Sequence, residues 1–383
     1  MGDAQRLSPE EQLASAREAF ETGQEFTVAV EEEFAVLDPD TLGLVNRFED
    51  LQAAARGSAL EEHLVGELIA SEVEVRTGRC ETFAEAATAM GERRRALLDL
   101  AGGLGIALCA VGTHPWSPWQ DQRIIDTPHY RRNDKVLQYV VWRNNTFGLH
   151  VHVGIRGADR AIRVTNALRA FLPDLLALSA SSPFVEGVNS GLHSARTEIF
   201  TRTFPRCGVP DVFRDWAEYE EYVRLLYRTG SITEHTQLWW SVRPHLAFPT
   251  VEIRICDGQP ELGEAQALSA FLYALTARIA RALDDEEPLP DHPHRLIEEN
   301  VWRAIRYGLP GELIRLGTDV VRPAREALAE LLDWLAPVAD ELGCAGLLRV
   351  PEQNAAERQL ARLDAGETIE SIYAQEVLEA VRV

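Results

Sequence analysis

Positive charge is scarce in this chain. Across 383 residues, 38 Lys and Arg face 60 Asp and Glu, a formal net charge of −22. So large a surplus of acids argues against a general nucleic-acid binder, which needs a basic footprint to neutralise phosphate. It argues equally against a polybasic membrane-surface protein. A phosphate-bearing small molecule stays admissible, because a divalent cation can stand between carboxylates and phosphates. Cysteine is also sparse: Cys80, Cys109, Cys207, Cys256 and Cys344 are odd in number, widely spaced and contain no CxxC. That excludes a zinc ribbon and offers no disulfide framework. No apolar run reaches the roughly 18 residues of a membrane span. The N-terminal stretch MGDAQRLSPEEQLASAREAF lacks the apolar centre of a secretory signal. The expectation is a cytoplasmic protein with neither membrane nor nucleic-acid partners.

Several nucleotide motifs are missing as well. There is no GxxxxGK[ST], no GxSxG, no kinase motif set and no GxGxxG after a strand. The AGGLG at 101–105 falls between a helix and a strand and reads as a helix end. A bound nucleotide would therefore have to be held by metal and arginine.

What is present is an ordinary globular composition, 46% apolar and 26% charged, long enough to bury a core without staples. Ser8-Pro9-Glu10-Glu11 predicts a helix start, with the helix ending before Gly23. Strands are predicted at 26–37, 68–77, 105–112, 146–155, 237–243 and 249–257. Helices are predicted at about 81–101, 130–142, 159–180 and 211–229. Further helices, 261–283, 294–307, 322–342, 354–363 and 367–381, dominate the last third. Residues 284–294 read as the one linker-like segment. No repeat appears. Strands without a compact βαβ rhythm predict an α+β fold, one polar-faced antiparallel sheet backed by helices.

Alternate residues of a strand share a face. In 26–37, Glu31 and Glu33 project together while Glu32 sits in an apolar row. In ELIASEVEVRTG, Glu72, Glu74 and Arg76 share one face. In TFGLHVHVGI, His150 and His152 do. In FPTVEIRICDG, Glu252 and Arg254 lie opposite Val251, Ile253 and Ile255, and in QLWWSVRPH Ser241 and Arg243 share a row. Solvated faces mix Lys, Thr, Ser and Gln, and these rows contain no Lys. Their Glu, His and Arg are costly to bury unpaired. A cleft holding metal and phosphate would satisfy all of them. Carboxylates with a single imidazole suit Mg²⁺ or Mn²⁺ rather than zinc, and Arg243 and Arg254 suit phosphate oxygens. The Gly- and Ser-rich segment 181–210 carries Arg196, Arg202 and Arg206 and reads as a long surface loop able to handle anions. Trp116, Trp142, Trp239 and Trp240 read either as pocket walls or as core.

The ordered motifs VEEEF, SEVEVRTG, GTHP, GLHVHVGI, SSPF…SAR…FPRCGVP and RPHLAFPTVEIRICD resemble the carboxylate-amine ligase family. This is also called the glutamate–cysteine ligase type 2, or YbdK-like, family. The resemblance runs from about residue 25 to about 310. It implies a glutamine synthetase-like catalytic fold, a curved, mostly antiparallel funnel of β-sheet with helices on its outer face. On that reading residues 1–383 are one catalytic domain, with a sheet-forming core at about 25–260 and a mainly helical part at about 261–383. The resemblance assigns Glu31, Glu33, Glu74, His150 and Glu252 to metal, Glu252 and Arg254 to catalysis, and Arg196, Arg206, Arg243 and His152 to nucleotide. It leaves Glu67 and Glu72 without a role. It implies Mg²⁺ (or Mn²⁺), ATP as co-substrate, an acyl-phosphate route to an amide, and glutamate with cysteine as the default pair. The alternatives are another amine or carboxylate, or amide hydrolysis on the same scaffold. The stretch VVWRNNTF before His150 departs from the family pattern. Symmetry base rates make a homodimer the default assembly.

Overall fold

Antiparallel pairing of short alternating segments organises the chain. In the computed structural model, which describes residues 8–382, seven strands form the central sheet. They are β1 Val28–Leu37, β2 Leu64–Val65, β3 Glu72–Arg76, β4 Ala107–Cys109, β5 Gly148–Gly154, β6 Val242–Pro244 and β7 Thr250–Asp257. Their order is β6-β7-β5-β1-β3-β2, with β4 also paired to β1, and every pairing is antiparallel. The register sets Glu31 opposite both His150 and Arg76, Glu33 opposite Glu74, and Glu252 opposite both His152 and Arg243. A slip of one residue on any of these strands would turn its polar row into the core. The first residues of the chain, 1–7, on which part of the reading of the N-terminal stretch rests, lie outside the described residues.

The opposite face is apolar. Val30, Val151, Val153, Val251 and Ile253 are fully buried there. They join a core with the helices that cover this face, chiefly α6 (Ala158–Leu168) and α10 (Leu262–Asp284). Helix α10 packs against α6, β5, α12 (Ala324–Glu341) and α3 (Phe83–Gly103). Buried on almost every side, it carries Ala, Leu, Phe and Tyr with little amphipathic relief. Glu32, the acid in the apolar row, is not left unpaired. Arg94 of α3 forms an ion pair with it and donates to the carbonyls of Pro260 (2.8 Å) and Gln259 (3.1 Å).

The other helices are α1 (Pro9–Thr22), α2 (Phe48–Ala55), α4 (Pro128–Leu137), α5 (Tyr139–Trp142), α7 (Leu172–Ser179), α8 (Ala195–Thr203), α9 (Trp216–Arg228), α11 (His294–Tyr307), α13 (Ala355–Asp364) and α14 (Ile369–Ala380). Some boundaries differ from expectation for identifiable reasons. The segment 130–142 is two helices, because Gln138 adopts φ 45°, which a right-handed helix cannot pass through. The segment 159–180 divides into α6 and α7 through a tighter turn at Arg169–Phe171. Trp239–Trp240 leaves the expected fifth strand to pair in parallel with Cys207–Gly208. The segment 181–210 is not simply a loop, since it contains α8. Ser194 caps that helix by accepting from the Thr197 amide at 3.2 Å. Helix α2 and the hairpin Glu312–Ile314/Val321–Pro323 carry no strong sequence signal. Among the described residues no helix is long and apolar enough to cross a membrane.

Candidate active site

The polar face of the sheet forms the floor of a cavity of about 250 Å³. Glu31 and Glu33 point into it from β1, Glu72, Glu74 and Arg76 from β3, His150 and His152 from β5, and Glu252 and Arg254 from β7. These are the rows that alternation picks out. Their donor atoms fall into three overlapping groups, Glu31/Glu74/His150, Glu31/His152/Glu252 and Glu33/Glu67/Glu74, with the atoms of each group within 4.8 Å of one another. Glu31 and Glu74 each belong to two groups.

All five residues assigned to metal by sequence are thus brought together. His152, assigned there to nucleotide, stands in one of these groups with Glu31 and Glu252. Glu67, left without a role, belongs to the group with Glu33 and Glu74. It sits in the turn between β2 and β3, where no strand alternation could point it inward.

Close contacts tie the face together. Arg76 pairs with Glu74 and, at 3.2 Å, with Glu31. His150 approaches Glu31 through Nδ1 at 3.4 Å and Glu33 through Nε2 at 3.7 Å. His152 Nε2 lies 3.5 Å from Glu31, and its Nδ1 lies 3.0 Å from the Thr250 hydroxyl. Arg254 pairs with Glu252, and its Nη1 lies 3.5 Å from His150 Nδ1. Arg243 grips Glu252 at 2.7 Å and donates to the carbonyls of Leu238 and Thr236. These contacts fix Arg243 beside Glu252, and it lines the cavity.

Arg196 of α8 lines the cavity and reaches it across Gly148. A Cβ at position 148 would lie 2.9 Å from the guanidinium carbon. Arg206 does not line the cavity; its guanidinium stands 5.7 Å over the Trp239 ring and donates to the Gln237 carbonyl. Arg202 faces Glu198 and Glu298. Of the tryptophans, Trp239 lines the cavity, Trp240 is buried, Trp116 packs on His114 and Tyr373, and Trp142 is exposed.

The electrostatics divide the face. Burial would raise the Glu31 carboxyl, but His152, His150 and Arg76 more than reverse it, holding it well below the usual range. Glu252 is likewise held well below, burial being outweighed by Arg243, Arg254 and His152. On the β3 side the outcome is opposite. Burial and the neighbouring carboxylates Glu33 and Glu67 push Glu72 well above its ordinary value, and burial with Glu31 and Glu67 does the same to Glu74. Burial and Arg254 push His150 down to about 4, leaving a neutral imidazole.

This donor set fits hard divalent cations. His150 Nε2, His152 Nε2 and one Glu72 oxygen are buried without a hydrogen-bond partner. Carboxylates crowded enough to raise one another are the groups a divalent charge would relieve. Oxygen donors with imidazole and no thiolate match Mg²⁺ or Mn²⁺.

Known proteins identify the family of the chain. Residues 27–374 match the model of glutamate–cysteine ligase family 2. A relative from Solibacter usitatus, named provisionally as a glutamate–cysteine ligase 2, is 38% identical over 87% of this chain and 88% of its own. A similarly named protein of Rubrobacter xylanophilus is 40% identical over 91% of this chain and 95% of its own. The fold is shared with a glutamate–cysteine ligase of Francisella tularensis solved with AMP, at TM-score 0.65 and 12% identity, covering 94% of this chain and 90% of that one. It is shared too with a bifunctional glutathione synthetase of Pasteurella multocida, at TM-score 0.68 and 14% identity. This chain covers 97% of itself in that match but spans only about half of the bifunctional enzyme, 53% of its length. With its α+β architecture and its carboxylate-lined antiparallel sheet, the chain belongs to glutamate–cysteine ligase family 2.

Proposed function

We propose that the chain is an ATP-dependent carboxylate–amine ligase, joining the γ-carboxylate of L-glutamate to the amine of cysteine. The observation that carries the reading is the set of three overlapping donor groups beside Arg254 on one sheet face. Carboxylates alone would repel a triphosphate, and this face combines them with imidazoles and arginines. Bound Mg²⁺ ions, held by those three groups, would offset phosphate charge and orient the transferring phosphoryl group.

The chain's own residues do the rest. Arg254, anchored by Glu252, stabilises charge on the migrating phosphoryl oxygens. Arg243 keeps Glu252 ionised and fixed. His152 is oriented by Thr250, and His150 stays neutral beside Arg254. Arg196 presents a guanidinium from α8 to an anionic group of substrate. The substrate carboxylate attacks the γ-phosphorus of ATP, and ADP leaves. The amine, as its free base, then attacks the acyl carbon of the acyl phosphate; the C–O bond to phosphate breaks, and the proton lost from nitrogen leaves with the phosphate. Because positioning and charge carry phosphoryl transfer, no separate acid–base dyad is needed. A cytoplasmic homodimer completes the reading, and light scattering of the purified chain tests the assembly.

The decisive experiment is ADP release with Mg²⁺, ATP and a panel of amino acids and amines. Release that requires both a carboxylate and an amine, greatest with glutamate and cysteine, is the expected result. Amide cleavage without ATP consumption would overturn it in favour of hydrolysis.

A further inference from the structure

At the C-terminal end of β7, beyond the ligand rows, Asp257 is fully buried yet carries no role in the chemistry above. Its Oδ2 accepts from the Ser181 amide at 3.0 Å and from the Ser182 hydroxyl at 2.6 Å. Its Oδ1 accepts from the Ser194 hydroxyl at 2.8 Å and faces Arg196 Nη1 at 4.0 Å. Ser182 and Ser194 both lead to Arg196. Ser194 is the N-cap of α8, and Ser182 accepts from the Arg196 amide at 3.2 Å. One carboxylate therefore joins the end of β7, the segment 181–182 and the first turn of α8.

The close approach needs Gly112, where a Cβ would fall 2.7 Å from the Asp257 carboxyl carbon and 2.8 Å from Ser182 Cβ. From this clamp the Arg196 side chain runs over Gly148, beside the carbonyls of Ile255 (3.3 Å) and Arg254 (3.4 Å). Its Nε is buried without a partner. The guanidinium is held in place at the cavity edge but its donors are not used up.

We infer that Asp257 is a positioning residue that locks α8 to the sheet, so that Arg196 lies over Gly148 with its guanidinium offered to an anionic group of substrate. The inference rests on the ligase reading only for which substrate benefits. Charged hydrogen bonds of this kind fix orientation as well as adding stability, and a small displacement of a binding group is enough to weaken binding strongly.

The test is a cycle of Asp257→Asn, Arg196→Ala and the double variant, with KM and kcat measured separately for glutamate and for Mg·ATP. The expected result is that D257N raises the KM that R196A raises, by roughly tenfold, and leaves the other KM within about twofold. In the double variant, D257N adds no further loss to R196A, because residues acting through one another are not additive. An additive loss, or an unchanged KM in D257N, would overturn the inference. Gly148→Ala probes Arg196 itself: the new Cβ displaces the guanidinium and also crowds His150 Nε2 at 3.1 Å, so the same KM should rise together with a fall in kcat. If D257N fails to fold, Ser182→Ala, which removes the hydroxyl joining Asp257 to the Arg196 amide, decides the question, and an unaltered KM there overturns the inference. If the unaltered chain turns over no substrate pair, the ligase reading fails on its own. Calorimetric binding of glutamate and of Mg·ATP then tests Asp257 directly: whichever ligand R196A weakens, D257N must weaken too.

Discussion

Glu31 is the residue on which the most depends. It belongs to two donor groups and is paired across the ladder to His150 on one side and Arg76 on the other. Glu31→Gln, Glu33→Gln and Glu252→Gln should each lower Mg²⁺-dependent ADP release by on the order of a hundredfold or more. Circular dichroism should be unchanged, since amide and carboxylate have the same shape. Near-normal turnover in these variants would refute the metal face. On the opposite face, Arg94→Ala should cost about 3–5 kcal/mol, because it strands the buried Glu32 carboxylate. Chemical denaturation reads this directly, and Glu32→Leu combined with Arg94→Met should recover most of the loss. Residues on strands were legible one by one, because a period of two assigns each to a face. Glu67 and Arg206 were not. The first lies in a turn without periodicity, and the second has its direction set by packing on Trp239 rather than by composition.

Among the elements, the pair α4 and α5 forms part of the cavity wall, with Tyr130 and Asn133 on α4 and Val141 on α5. Their junction, Gln138 at φ 45° and ψ −119°, is a conformation that suits glycine. Gln138→Gly should therefore raise stability by about 0.5–1 kcal/mol, whereas Gln138→Val should lower it by about 1–2 kcal/mol. Thermal melts of the two variants check the sign. The apolar periodicity of 130–142 reads as one helix because no Gly or Pro marks the break. Helix α8 was hidden differently. Nine residues inside a Gly- and Ser-rich stretch are short for a helix, and beside the local Ser194 cap it is held by the Asp257 clamp, which is tertiary. The long helices of the last third, with strong patterns, were legible nearly to their ends.

For the whole molecule, stability should depend on pH through a buried group that does not line the cavity. Glu376 on α14 is 3% exposed, and burial pushes its carboxyl up to about 8, with Arg358 only partly opposing. A folded-state value above the unfolded one means that its contribution is complete below about pH 4.5 and is lost as pH rises through 8. Unfolding free energy should fall by up to about 1.4 kcal/mol per pH unit across that window. Glu376→Gln should flatten the fall in denaturation measured from pH 5 to 9, and an unaltered slope would show that another group is responsible. The overall α+β layering was legible because polar and apolar rows alternate so cleanly. The strand order was not, since it depends on contacts between segments far apart in the chain.

That strand order has a kinetic consequence. Glu31 is on the first strand of the sheet and Glu252 on the last, and β5 must lie between them before either meets His152. The Glu31/His152/Glu252 group, unlike Glu33/Glu67/Glu74 on β1, β3 and the turn before it, therefore offers an ion no complete cradle on a growing or half-folded chain. An ion held at that group can lock the finished sheet but cannot nucleate it, so its binding there should slow unfolding while leaving the rate of refolding nearly unchanged.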